Sequence, residues 1–218
     1  MSSVFTPRAN LIARVSLVGA VLALIGASAF LLGFVRSSFY TGVGVEMPQP
    51  VPFSHQHHVA GLGIDCRYCH ATGEDSAFAG MPTTQTCMNC HAELWTDAPL
   101  LQPIRESWRS GTPVRWRRVH DLPDFAYFDH SIHLAKGIGC ASCHGRVDEM
   151  ALMRKDQTLF MSWCLDCHRN PKPHVRPREE LFDMEWRPSP EDEAERDRLY
   201  ERYQIQTAAI LDCSTCHR

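Results

Sequence analysis

The 218-residue chain lacks a Gly-rich phosphate loop, a dinucleotide fingerprint and any nucleophile–base arrangement, so no substrate pocket is legible in it. Its net charge is only -3, which leaves no basic footprint for nucleic acid. Long helical patterns are few, and glycine (13) and proline (14) are frequent enough to predict much irregular backbone. No cysteine is spare: all ten fall in pairs spaced Cys-x-x-Cys, each followed at once by histidine. That last absence turns the reading towards what is present.

The five copies are Cys66, Cys69, His70; Cys87, Cys90, His91; Cys140, Cys143, His144; Cys164, Cys167, His168; and Cys213, Cys216, His217. Cys-x-x-Cys-His is the attachment site of a c-type haem. Two thiols three apart reach the two vinyl groups on one porphyrin edge, and the adjoining histidine is held beneath the iron. Zinc pairs do not require a histidine after each pair, and disulfides do not explain the histidines. Five covalent haems c are therefore expected. Their propionates make the loaded protein more acidic than its sequence. The 182 residues after Arg36 give about 36 per haem, so the porphyrins should form much of the apolar core, and the haem-free chain is expected not to fold.

Residues 1–14 carry Arg8 and Arg14 and no acid, and 15–35 run 21 residues without a charge. That is long enough for one transmembrane helix. A cleaved signal at Ala27-Ser28-Ala29 is the competing reading, but the apolar run continues past it to Val35, which favours a retained anchor. The arginine balance places the N-terminus in the cytoplasm. C-type haem is attached outside the cytoplasm, so the remainder is expected on the periplasmic side of a bacterial inner membrane. Residues 36–52, with Pro48, Pro50 and Pro52, read as an extended tether.

Two diverged repeats follow, offset by 75 residues. The first is Phe53-Ser-His55-x-x-His58, seven residues, then the Cys66 motif and the Cys87 motif. The second is Phe128-Asp-His130-x-x-His133, six residues, then the Cys140 and Cys164 motifs. The expected divisions are 53–95 and 128–170 as two-haem modules, 96–127 as a Trp/Arg-rich connector, and 171–218 as a Pro-rich loop, a helix and the fifth haem site. In the connector, arginines such as Arg105 suit haem propionates and tryptophans suit porphyrin edges, while the same residues could dock a partner. Ser189-Pro190-Glu-Asp192 is a helix start, and the helix is expected to continue to about Leu211.

Of twelve histidines, five belong to the motifs and seven remain. His55, His58, His130 and His133 are the expected second axial ligands, and His57, between two of them, should point away. For a fifth second ligand the candidates are His120, then Met150, with Met153, Met161 and His174 behind them. Methionine would raise that haem's potential. With enough histidines to close all five irons, the chain reads as a non-catalytic electron-transfer protein: mainly α with much loop, a multihaem cytochrome c domain with a haem-dominated core, plus one N-terminal transmembrane helix.

Several strings carry a more specific resemblance: 50–58 (PVPFSHQHH), 63–70 (GIDCRYCH), 79–91, 116–130 (WRRVHDLPDFAYFDH) and 163–171 (WCLDCHRNP). Through them the chain resembles the pentahaem cytochrome c subunit of bacterial alternative complex III, a quinol:electron-acceptor oxidoreductase. Its haem modules are similar to small multihaem cytochromes of the c3/c7 kind. The resemblance implies polytopic quinol-binding membrane subunits, an iron–sulfur subunit, and a monohaem cytochrome c or terminal oxidase as partners. It also implies that His55 serves the Cys66/Cys69 haem and His130 the Cys140/Cys143 haem, while His58 and His133 cross to others. The competing reading is a self-sufficient membrane-anchored quinol dehydrogenase feeding a periplasmic reductase. Its first haem should lie close to the membrane, whereas about 30 residues separate Val35 from Cys66 here.

Overall fold

The structure, a computed structural model, describes residues 7–217. It divides into two units, residues 1–43 and 44–218. Among the described residues there is no extended strand, only two isolated antiparallel bridges, Glu46 with Arg154 and Ile138 with Val175. The mainly helical, loop-rich class expected from the sequence is what is found.

Helix α1 spans Pro7–Phe34. Proline suits a first turn because its missing N–H would have no intrahelical acceptor there. The helix therefore begins before the charge-free run, taking in Arg8 and Arg14; residues 1–6 of the expected cytoplasmic N-terminus lie outside the described residues. Its apolar side chains are open along the whole length, and Arg8–Phe34 is long and apolar enough to cross a membrane. The end is capped: Arg36 Nη1 donates to Leu32 O at 3.1 Å and Ser37 Oγ to Phe34 O at 2.6 Å.

The second unit begins within the stretch read from the sequence as an extended tether, and its backbone finds partners there. Gly44 N donates to Lys155 O (2.8 Å) and Met47 N to Met153 O (3.1 Å), so residues 44–47 pair with the strand-like stretch 153–155. Val51 is buried with Leu101 and Ile104. The prolines keep this segment extended, and its amides find acceptors on the protein instead of water.

Beyond it lie α2 (Thr84–His91), α3 (Gln102–Ser110), α4 (His130–Ala135), α5 (Met161–Arg169) and α6 (Glu193–Arg202), with single helical turns between. Ser189 accepts from Glu191 N as the expected cap, but the helix stops at Arg202 and does not run to Leu211. Tyr203 turns inward to a cluster with Ile138, Val175 and Leu199. Gln204 takes a left-handed φ of 51°, and Lys136 Nζ caps Tyr203 O at 2.6 Å. Burying one tyrosine outweighs continuing a charged, solvent-facing helix. Apart from these two small clusters, the buried hydrophobic side chains among the described residues are few. Such cores are thin for a domain of this length, which fits a fold whose interior is completed by prosthetic groups.

Candidate haem-binding sites

Each attachment motif lies on a single helical turn or a helix end, which places its two thiols on one side. The isolated turns need caps. Asp65 accepts from Arg67 N at 2.8 Å, and Asp212 accepts from Ser214 N at 2.9 Å. The hydrogen bond to Arg67 holds the Asp65 carboxyl below its ordinary pKa. After the third motif, Arg146 grips Asp148 at 2.6 Å with Glu149 and Glu185 close by, fixing the turn that follows His144.

The histidine rings are oriented by the backbone. His70 Nδ1 pairs with Gly80 O at 2.7 Å, His91 with Leu94 O at 3.1 Å, His168 with Ile210 O at 2.9 Å, and His217 with Phe125 O at 3.0 Å. The same holds outside the motifs: His58 with Ser54 O (2.8 Å), His130 with Ala77 O (2.8 Å) and His133 with Asp129 O (2.7 Å). A carbonyl can only accept, so each of these rings carries its proton on Nδ1 and leaves Nε2 with a free lone pair, as a metal ligand requires.

The free rings then pair across gaps. The centroids of His58 and His91 are 6.3 Å apart, those of His130 and His144 6.3 Å, and those of His133 and His168 6.2 Å. Two imidazoles on opposite sides of one metal, each bonded at about 2 Å, place their centroids about 6 Å apart. Each pair joins one motif histidine to one H-x-x-H histidine. These residues therefore fit a haem iron with two axial histidines. For His55, burial first, and then the charges of His70 and His58, lower the pKa to about 4, and its Nδ1 is buried without a partner.

In each repeat a phenylalanine two residues before the pair holds both ligands. Phe53 meets His55 edge-on at 4.9 Å and stacks on His58 at 4.3 Å; Phe128 meets His130 at 4.8 Å and stacks on His133 at 4.4 Å. The signal for this role was the Phe-x-His-x-x-His spelling shared by both repeats.

The candidates for a fifth second ligand do not gather at the fifth motif. His120 lies edge-on against His144 at 4.3 Å, too close to stand across an iron from it. Its Nε2 is buried and unpartnered, and burial lowers its pKa to about 4. The Met150 side chain is entirely enclosed by protein. Met161 and His174 are exposed, and Met153 lies in the pairing with residue 47. His57 is exposed, with its ring against His58 and Trp95.

Several thiols of the attachment motifs are raised by burial and by one another. Burial pushes Cys140 up to about 11 with a contribution from Cys66, and Cys143 up to about 12 with one from Cys167. Cys69 is raised by burial and by Cys87, and Cys164 by burial and by Cys216. In the connector, Trp108 and Trp116 line a cleft of about 460 Å³ that also reaches Cys87 and Ile104. Arg105 Nη1 is buried without a partner, a cation suited to a carboxylate.

Comparison with known proteins agrees with this geometry. Residues 126–218 match the family described as cytochrome c7 and related cytochrome c, and residues 37–103 match the class III cytochrome c family. Both segments are thus similar to multihaem c-type cytochromes of the c3/c7 kind. A particular relative is the multiheme cytochrome c subunit of menaquinone reductase from Nitratidesulfovibrio vulgaris (strain Hildenborough), 34% identical over 126 residues. The match covers 55% of this chain and 59% of that subunit, so the chain spans about three-fifths of its relative. The relative found is thus a menaquinone reductase subunit and not one of alternative complex III.

Proposed function

We propose that this chain is a membrane-anchored pentahaem cytochrome c, a non-catalytic electron-transfer subunit of a quinone-linked respiratory complex. The observation that carries the reading is the set of three histidine pairs at 6.2–6.3 Å, the spacing that two imidazole ligands of one metal would have. A haem ligated in that way cycles between ferric and ferrous states by one electron without offering a coordination position to substrate. The chain's own residues attach, orient and insulate. The ten cysteines would anchor the haems, and His70, His91, His144, His168, His217, His55, His58, His130 and His133 would supply the iron ligands. Arg105 and the connector tryptophans suit the propionate and edge of the haem at the second motif. α1 holds the domain at the bacterial inner membrane, with the haems on the periplasmic side.

The finer reading is a role like that of the alternative complex III subunit. Electrons from quinol oxidised in a polytopic subunit would arrive through an iron–sulfur subunit and leave to a monohaem cytochrome c or a terminal oxidase. The relative's name favours a second direction, delivery of electrons to menaquinone within a reductase complex. Gentle detergent purification through a C-terminal tag, with quinol oxidation and menaquinone reduction both assayed, separates the readings. Co-purifying polytopic and iron–sulfur subunits, with activity lost on stripping them, is the expected result. A lone pentahaem protein that still takes electrons from quinol would make it a self-sufficient dehydrogenase.

A further inference from the structure

The repeats invite the assumption that the haem sites follow one another in chain order. The hydrogen bonds between motifs describe a different sequence of neighbours. The first and second motifs are joined directly: Asn89 Nδ2, inside the second, donates to Tyr68 OH, inside the first, at 3.0 Å. The turn before them carries His55 and His58, both resting on Phe53.

From the first motif the links lead to the third and not onward from the second. Gly80, whose carbonyl holds His70, closes a loop whose Ala77 O accepts from both His130 N (3.2 Å) and His130 Nδ1 (2.8 Å), and whose Ser76 O accepts from Ser131 N (3.2 Å). His130 is the ring opposite His144 of the third motif. A second link runs on another side: Arg67, in the first motif, lies over Phe182 at 4.6 Å, and the adjoining Leu181 O accepts from Cys140 N at 3.1 Å. The turn carrying His55 is fixed there as well, with Gln56 N donating to Met150 O just past the third motif.

The third and fourth motifs share α4, with His130 and His133 on either side of Phe128. The fourth meets the fifth through His168, whose Nδ1 pairs with Ile210 O in the turn leading to Cys213. Exposure agrees with two ends: of the ten cysteines, only Cys90 in the second motif and Cys213 in the fifth are exposed.

We infer that the haem-binding motifs stand in the spatial order second, first, third, fourth, fifth, so that the second and fifth motifs are the two ends at which the domain meets other redox centres. The order is a property of this fold: the second repeat is attached through the first motif's loop, which reverses the first module relative to the chain. The inference rests on the pentahaem reading, and the test separates the two. The full-length protein, loaded with haem and purified in detergent, is first counted for covalent haems by intact mass. Its iron sites are then located from the anomalous signal of iron in crystals, or from its cryo-electron density. Five haems whose irons form an unbranched line in the order 2-1-3-4-5 are expected. Five haems with the second-motif iron between the first and third would overturn the order and leave the pentahaem reading intact. Fewer than five covalent haems would overturn that reading, and the order with it.

Discussion

The two repeats hold their ligands in nearly the same way on different backbones. The phenylalanine-to-histidine centroid distances, 4.9 and 4.3 Å in the first repeat and 4.8 and 4.4 Å in the second, agree within 0.1 Å. Yet Gln56–Gly61 is a π-helical turn and His130–Ala135 an ordinary α-helix. The first repeat has one more residue between its second histidine and its cysteine, seven against six. A π turn is what an α-helix becomes when it absorbs an added residue. The comparison teaches that the ligand geometry is held constant and the backbone takes up the difference. Surroundings differ too. Behind the second repeat lie the Ile138–Val175–Leu199–Tyr203 cluster and the buried Arg176, whereas the first leans on Val51, Leu101 and Ile104 and leaves Cys90 exposed.

The largest way to break the symmetry is at the attachment cysteines. Cys143→Ala, in the more enclosed repeat, should abolish accumulation of the folded protein. Cys90→Ala should leave a folded protein with a single thioether at the second motif. Haem-stained gels and intact mass read both, and equal yields would contradict the difference drawn between the repeats. Next comes Arg176, 2% exposed, which donates to Ser142 Oγ at 2.9 Å and Asp183 O at 3.2 Å and lies over Trp186 at 4.0 Å. Truncation to alanine leaves those groups unpaired and should cost about 3 kcal/mol in chemical unfolding. Phe53→Ala and Phe128→Ala should each cost about 1–2 kcal/mol through the lost ring contacts, with matching losses in the two repeats. Deleting Ala60 should let the π turn relax to an α turn at a cost near 1 kcal/mol, whereas inserting a residue after Leu134, which is buried, should cost more.

Acid sharpens the comparison from another side. Burial lowers His120 from 6.5 to about 4. Between those values the unfolded chain binds protons that the folded one refuses, so stability is full above pH 6.5, falls as pH drops towards 4, and levels off below. His120→Gln should flatten that slope in a pH series of unfolding midpoints; an unchanged slope would contradict the neutral, buried assignment.

Much of the site was legible because its chemistry fixes spacing. The five motifs, the two H-x-x-H pairs and the 75-residue offset are local patterns, and the structure sets three of the four H-x-x-H histidines near a motif histidine. What was not legible depends on contacts distant in sequence. The prolines of 48–52 suggested an extended connection, but not the acceptors at 153–155 that take its neighbouring amides. The capping pattern at Ser189 announced the helix start correctly, but the stop at Arg202 is set by the burial of Tyr203 against Ile138 and Val175. His120, first of several candidates for the remaining second ligand, lies beside His144, a position that no spacing rule encodes.

The central claim is that H-x-x-H histidines close the irons opposite the motif histidines. It is tested most directly at His133, whose ring is 6.2 Å from His168. Low-temperature electron paramagnetic resonance of the full-length, haem-loaded protein should show low-spin bis-histidine signals. In His133→Ala one of them should disappear and a high-spin signal should replace it, with five covalent haems retained by mass. Five haems and an unchanged spectrum in the variant would contradict the account.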